Sequence, residues 1–286
     1  MAVLVSERIG DFTHEGHRLE YTAYGHGTQT VVLLHGQLMP RRMHEPLARA
    51  LAGAGYHVYT LDLLGHGRSD RPDDPGYYSM TAFGAQTVAF LDHLGVERAV
   101  VGGTSLGANT TLEVACAAPD RLAGMLLEMP VLDTALEAGI VAFGPLLFWA
   151  RLTPWAITAL RKASRAVPRS FIGLWPGVVL DTLGQYPGPM AATVHGIFFG
   201  RIAPSRELRR RLEVPALVIG HPHDPIHPAA DAATLAEELP HCRFVQAESI
   251  LEWRSRPDRL DAEAIDFVTG CFAALEGAGE HIGTGH

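Results

Sequence analysis

The segment "VVGGTSLGANT" at residues 100–110 contains a serine in a setting typical of a catalytic nucleophile. A β-branched run leads into the pattern G-T-S-L-G at 103–107, and a helix-like series follows. This G-x-S-x-G pattern predicts a nucleophile elbow, since glycines permit a strained serine backbone and close contact between strand and helix. Ser105 is therefore the candidate nucleophile. The alternative is a turn that serves only the fold of a non-catalytic binding protein.

Two backbone amides are the candidate donors for an oxyanion beside Ser105. Leu106 begins the predicted helix, and the amides at a helix N-terminus point toward an adjacent negative charge. The second donor is the amide of Gln37 in "LLHGQL", which follows an earlier predicted strand. Loss of one such donor typically lowers turnover by about 10²–10³, so both loops are expected to matter.

The elements that must position these groups alternate short β-rich runs with amphipathic helical stretches, which is typical of a mainly parallel sheet. Predicted strands lie at 18–25, 30–36, 57–65, 98–105, 122–130, at the start of 214–228 and at 241–247. Predicted helices lie at 43–55, 80–96, 106–120, 231–240 and 257–275. The fold class is therefore α/β.

The alternation breaks after Pro130, where residues 131–211 contain no obvious strand and are rich in apolar and aromatic residues. We predict a helical cap over this range. It is inserted into a core domain formed by residues 1–130 and 212–275. The glycine-rich end, residues 276–286, is predicted to be a disordered tail.

Composition and charge exclude several classes of partner. The 23 Lys and Arg against 31 Asp and Glu give a net charge of -8, which disfavours nucleic acid and anionic membranes. The three cysteines are far apart and form neither a disulfide framework nor a CxxC site. The start of the chain lacks a secretory apolar segment, and the longest uncharged apolar run, 138–150, is too short to span a bilayer. A cytoplasmic protein is expected, and its oligomeric state, monomer or homodimer, is left open.

Four motifs resemble those of the α/β-hydrolase family in their order and spacing. They are "LLHGQ" (33–37), "LDLLGHGRSDRP" (61–72), "GGTSLGA" (102–108) and "GHPHDPIHP" (220–228). The resemblance extends from about residue 18 to 275. Four ordered motifs are far more specific than a lone G-x-S-x-G pattern.

The resemblance implies an eight-stranded, mainly parallel sheet flanked by helices, with a helical cap inserted after strand 6. It places the active site at the carboxyl ends of the strands. Ser105 would then be the nucleophile, and Asp224, at the end of strand 7, the triad acid. No cofactor is implied.

One expected residue is missing. In the family, a histidine shortly after strand 8 takes the proton of the serine, but the corresponding segment "QAESILEWRSRPD" (246–258) contains none. Removing the serine or the histidine of such a pair lowers turnover by about 10⁶. The identity of the base therefore decides whether this chain can be a serine hydrolase.

Several residues are candidates to replace it. His227, three residues after Asp224 in the same loop, is the leading one because a short Asp–His hydrogen bond is sterically plausible there. His195 in the cap and His221 or His223 in the strand 7 loop are the alternatives, and a chain with no histidine base remains open. Without a base, the fold would serve as a non-hydrolytic enzyme, for a cyclisation, dehydration or rearrangement, or as a ligand-binding module.

Other chemistries fit parts of the sequence. "HPHDPIH" has metal-ligand residue types, although Asp224 already has a role from the resemblance, and no metal is predicted. Glu252 could act as a carboxylate acid or base, but an exposed glutamate paired with Arg254 and Arg256 is the preferred interpretation. The segment "VVGGTSLGA", with Glu128 at the end of the next predicted strand, loosely resembles a dinucleotide-binding turn. Its glycine spacing, however, is G-G-x-x-x-G rather than G-x-G-x-x-G.

The predicted cap suggests the substrate class. Its large apolar residues are Phe143, Leu147, Phe148, Trp149, Trp155, Phe171, Trp175, Phe198 and Phe199. Such a set favours a hydrophobic ester, thioester or lactone, which would be hydrolysed or transferred through an acyl-enzyme on Ser105. Trp149, Trp155, Phe199 and His195 are the candidate substrate-binding residues.

Overall fold

The computed structural model describes residues 5–132, 144–145, 148 and 152–283. Eight strands form one sheet in the order β1-β2-β4-β3-β5-β6-β7-β8. The strands are β1 Glu7–His14, β2 His17–Tyr24, β3 Thr30–Leu34, β4 His57–Leu61, β5 Ala99–Thr104, β6 Leu122–Glu128, β7 Ala216–Gly220 and β8 Cys242–Gln246. Strand β2 pairs antiparallel with both β1 and β4, and the remaining pairs are parallel. The predicted eight-stranded, mainly parallel sheet is confirmed.

Helices flank this sheet and also lie in the described part of the chain between β6 and β7. In chain order they are α1 Glu45–Gly53, α2 Met80–Leu94, α3 Leu106–Ala117, α4 Pro154–Ala166, α5 Leu174–Leu183, α6 Pro187–Phe198, α7 Arg206–Arg209, α8 Ala229–Glu238, α9 Glu252–Ser255 and α10 Asp258–Gly283. Helices α4–α7 belong to the predicted cap range. No helix in the described ranges is long and apolar enough to cross a bilayer.

The central strands are continuous apolar runs because helices cover both of their faces. Every residue of β3, β5 and β6 is buried. Alternate residues enter opposite cores: Val32 and Val101 lie in the cluster on one face, and Val31 and Val100 in the cluster on the other. This two-sided burial fixes the carboxyl ends of β3, β5, β6 and β7 beside one another.

The end of the chain differs from the prediction. Helix α10 continues to Gly283, so the prediction of a disordered tail is wrong for residues 276–283. The side chain of Gln29 donates a hydrogen bond to Glu276 at 2.9 Å. This contact joins the start of the extra helical turns to the loop before β3. The sequence pattern alone does not reveal it.

Candidate active site

Ser105 lies in the sharp turn between β5 and α3. Its backbone has φ 54° and ψ −107°, a strained conformation for a residue with a side chain. Its amide donates to the carbonyl of Glu128 at 2.8 Å, and its carbonyl accepts from the amide of Asn109 at 3.0 Å. The turn thus holds the hydroxyl at the carboxyl end of the sheet, as expected of a nucleophile elbow.

Two glycines allow this turn to pack against the neighbouring strand. A β-carbon on either Gly103 or Gly107 would stand 2.1 Å from the carbonyl oxygen of Leu34 in β3. No side chain fits there, so the G-x-S-x-G spacing follows from the close approach of β3, β5 and α3.

His227 links Ser105 to Asp224 through two hydrogen bonds. Its Nε2 lies 2.8 Å from Ser105 Oγ, and its Nδ1 lies 2.8 Å from Asp224 Oδ2. The carboxylate side chain is 4% exposed and the imidazole 16% exposed. The structure therefore brings together all three residues that the sequence singled out for the triad, with His227 in the position of the proton acceptor.

The loop after β7 is shaped around Asp224. Its Oδ1 accepts hydrogen bonds from the amides of Ile226 at 2.8 Å and His227 at 3.0 Å. His223 has a positive φ of 59°, which turns the chain sharply before this point. The carboxylate therefore both closes an Asx-type turn ahead of α8 and orients the imidazole.

These contacts also favour the charged form of Asp224. Burial tends to raise its pKa, but hydrogen bonds from the His227 side chain and from the two amides hold the pKa below its ordinary value. An ionised carboxylate stabilises an imidazolium that forms when His227 accepts a proton.

The two candidate oxyanion amides lie beside the turn. Leu106 is the first residue of α3, so its amide has no intrahelical acceptor. The Gln37 side chain is held on both sides, with Oε1 3.3 Å from His66 Nε2 and Nε2 donating to Thr193 Oγ1 at 3.3 Å. Among the described residues, neither amide donates to a protein acceptor, which leaves both available to an oxyanion.

Two buried histidines, His35 and His66, contact the loop that carries Gln37. His35 is fully buried, with Nδ1 2.9 Å from the carbonyl of Gly36 and Nε2 accepting from the amide of Leu63 at 3.0 Å. Burial lowers the pKa of His35 and of His66. Both rings are therefore neutral at pH 7 and make hydrogen bonds that position the surrounding loops.

The structure does not bring the candidate substrate-binding residues of the cap into this site. Trp155 and Phe199 are 74% and 78% exposed, so their role in substrate binding stays a prediction. The ring of His195 contacts that of Phe199, with centroids 4.4 Å apart and the planes tilted by 33°. Trp149 lies outside the described residues. Aromatic content alone predicted these residues, and it cannot separate a pocket lining from an exposed cap surface.

The histidines of "HPHDPIH" point in different directions. His221 faces Glu128, with Nε2 3.0 Å from Oε1, whereas His223 is exposed and His227 faces Ser105. No group of three His, Cys, Asp or Glu in the described part of the chain could hold a metal ion. The three rings therefore serve separate contacts.

Segment 246–258, which contains no histidine, includes α9 and contributes an arginine. Arg254 donates to Glu128 Oε2 at 2.7 Å, and its guanidinium lies 5.3 Å from the ring of Trp175 in α5. Glu252 is buried rather than exposed, and it pairs with Arg259 at 2.7 Å instead of with Arg254 or Arg256. The prediction that Glu252 is exposed and paired with Arg254 and Arg256 is thus wrong.

Sequence reasoning missed the role of Glu128. This carboxylate is 1% exposed at the end of β6 and contacts Thr104, His221 and Arg254. Burial tends to raise its pKa, but Arg254 and His221 hold it far below its ordinary value. The available signal was a glutamate ending the otherwise apolar run "LAGMLLE", because a buried charge must find partners.

The chain belongs to the α/β-hydrolase fold family, and the sequence model of that family matches residues 29–250. Haloalkane dehalogenase of Mycolicibacterium paratuberculosis is 25% identical over 249 residues, covering 78% of this chain and 83% of that protein. 3-Oxoadipate enol-lactonase 2 of Acinetobacter baylyi is 30% identical over 192 residues, covering 65% of this chain and 68% of that protein.

Solved structures share the fold. The enol-lactonase from Burkholderia xenovorans LB400 has a TM-score of 0.74 at 23% identity, covering 91% of this chain and 100% of that one.

The dinucleotide-binding interpretation of residues 100–108 is therefore wrong, since this segment forms the elbow of a hydrolase fold.

Proposed function

We propose that this protein is a serine hydrolase that cleaves a carboxylic ester or lactone through an acyl-enzyme on Ser105. Membership of the family and the relatives named above support hydrolase activity in general. The observation that carries the finer proposal is the hydrogen-bonded chain from Asp224 through His227 to Ser105, with 2.8 Å at each link to the imidazole.

The proposed reaction has two halves. Ser105 Oγ attacks the carbonyl carbon while its proton moves to His227 Nε2, and the amides of Leu106 and Gln37 stabilise the oxyanion. The tetrahedral intermediate expels the alkoxide, which takes the proton from His227. Water, activated by the same imidazole, then releases the acid and regenerates Ser105. Another alcohol in place of water would give acyl transfer.

Part of the described surroundings of Gln37 is apolar. Leu38, Met190 and Val194 form a buried apolar cluster next to it. Apolar walls with a few polar groups at the reacting bond are typical of small-molecule sites. The enol-lactonase name of a 30% identical relative agrees with the lactone part of the proposal.

The test is labelling of the intact protein with a fluorophosphonate, followed by mass spectrometry. We expect one adduct on the wild type, none on Ser105→Ala, and a labelling rate at least about 10³-fold lower for His227→Ala, because the serine loses its base. His195→Ala is the matched control and should label like the wild type. A correctly folded wild type that does not label would overturn the proposal and favour a ligand-binding or non-hydrolytic protein.

A further inference from the structure

A large polar cavity lies apart from the triad, between the sheet and the predicted cap. Its volume is 680 Å³, within the range of small-molecule sites. Residues of β2, of the loops after β3 and β4, and of the 165–185 segment line it, whereas Ser105, His227 and Gln37 do not. The cavity therefore needs an explanation of its own.

The lining carries more positive charge than the neighbouring carboxylates neutralise. Four of its arginines have carboxylate partners within ion-pairing distance, namely Arg18, Arg41, Arg42 and Arg169. The lining carboxylates Glu7 and Glu45 pair with Arg49, which lies outside the cavity wall. Arg68, Arg71 and Arg165 have no carboxylate partner in the described part of the chain.

Arg71 is the most constrained of these cations. Its Nε is buried and has no hydrogen-bond partner among the described residues. Burial lowers its pKa, and the nearby charge of Arg165 lowers it further, although Asp62 acts in the opposite direction. A guanidinium remains protonated even so, so Arg71 and Arg165 place two like charges on the wall of one cavity.

A second buried group lacks a partner on the same wall. Gln185 is 5% exposed, and its Nε2 donates to the carbonyl of Leu38. Its Oε1 is buried without a hydrogen-bond donor. Buried polar atoms are normally satisfied, so this oxygen is suited to accept from a hydroxyl or amine of a bound molecule.

We propose that this cavity binds a small, multiply charged anion that also carries a hydroxyl group. Arg71, Arg165 and Arg68 would bind its carboxylate or phosphate groups, since guanidinium groups match both in geometry and charge. Gln185 Oε1 would accept from its hydroxyl. The site is independent of the function proposed for Ser105, because it shares no lining residue with the triad.

The experiment is isothermal titration calorimetry, in which the protein is titrated with citrate, with glucose 6-phosphate and, as the neutral probe, with glucose. The protein is the full chain carrying Ser105→Ala, so catalysis cannot contribute. We expect saturable one-to-one binding of at least one charged probe and none of glucose. Whether citrate or glucose 6-phosphate binds more tightly distinguishes a carboxylate from a phosphate ligand.

Substitutions assign the binding to the cavity. Arg71→Gln and Arg165→Gln should each raise Kd at least about tenfold, since each removes a charge-assisted hydrogen bond. Arg165 is exposed, so its variant does not depend on repacking. Arg98→Gln, an exposed arginine at the start of β5 and outside the lining, should bind like the parent. Failure of both charged probes to bind the folded protein, or equal weakening by Arg98→Gln, would overturn the proposal.

Discussion

At the scale of single residues, the two carboxylate oxygens of Asp224 contact different groups. Oδ1 accepts from the amides of Ile226 and His227, which shapes the loop, and Oδ2 faces His227 Nδ1, which orients the imidazole. A triad acid and histidine three residues apart are possible because one short turn satisfies both requirements. The histidine therefore does not need to come from the segment after β8.

The two oxygens can be tested separately with Asp224→Asn. Asparagine keeps an oxygen for the two amides, but its NH₂ group would face His227 Nδ1 and favour the wrong imidazole tautomer. We expect an unchanged melting temperature and a fall of about 10⁴ in turnover of the best ester substrate. Asp224→Ala is the comparison, and it should lose stability as well because the turn loses its acceptor. Near-normal turnover of Asp224→Asn would contradict the assigned role of this carboxylate.

At the scale of elements, Glu128 and Arg254 connect β6 to α9 close to the elbow. The Glu128 carbonyl accepts from the amide of Ser105, while its carboxylate contacts Arg254 of α9 and His221 of the loop after β7. Arg254 thus connects the segment after β8 to the strand end beside Ser105. The ion pair holds three segments around the turn that carries Ser105.

Arg254→Gln should leave the buried Glu128 carboxylate without its main partner. We expect a loss of about 3–5 kcal/mol in the free energy of unfolding at pH 7, measured with urea. Because the folded-state pKa of Glu128 is depressed, its stabilisation is present above the unfolded pKa of about 4.3 and is lost as pH falls below it. The difference between wild type and variant should therefore shrink in acid.

Arg256→Gln is the matched control for this pair. Arg256 is an exposed neighbour whose ionic contact with Glu248 is 3.5 Å long, so its loss should cost no more than about 1 kcal/mol. A variant at Arg254 that is as stable as the one at Arg256 would show that the buried pair contributes little to the fold.

At the scale of the whole molecule, the sequence predicted what local pattern determines. The apolar runs of β5 and β6, the glycines of the elbow and the His227–Asp224 spacing are all visible in short segments. The strand β1 was not predicted individually, because its residues are largely exposed and lack a clear alternation. The contact of Glu128 with Arg254 and that of Gln29 with Glu276 join distant segments. Only the assembled fold reveals such pairs.

The hydrogen bond between Gln37 and Thr193 joins the loop after β3 to α6, and so connects the sheet to the predicted cap. Thr193 is fully buried, and its Oγ1 accepts from Gln37 Nε2 at 3.3 Å while donating to the carbonyl of Met190. Thr193→Val keeps the shape but removes the partner of Gln37 Nε2, so that Oε1 keeps its contact with His66 as the remaining one of the two. The backbone amide of Gln37 would then be held less firmly. Turnover should fall, but by a smaller factor than the loss of an oxyanion donor causes, which is about 10².

The same substitution at Thr182 separates this coupling from a general effect on the helices of the cap range. Thr182 Oγ1 donates to the carbonyl of Val178 within its own helix, at 3.1 Å, and makes no hydrogen bond with Gln37. We expect Thr182→Val to leave kcat unchanged, whereas Thr193→Val lowers kcat with little change in KM, since the oxyanion forms only as the reaction proceeds. Equal kcat values for the two variants would mean that the contact between Gln37 and α6 stabilises the fold without positioning the oxyanion donor.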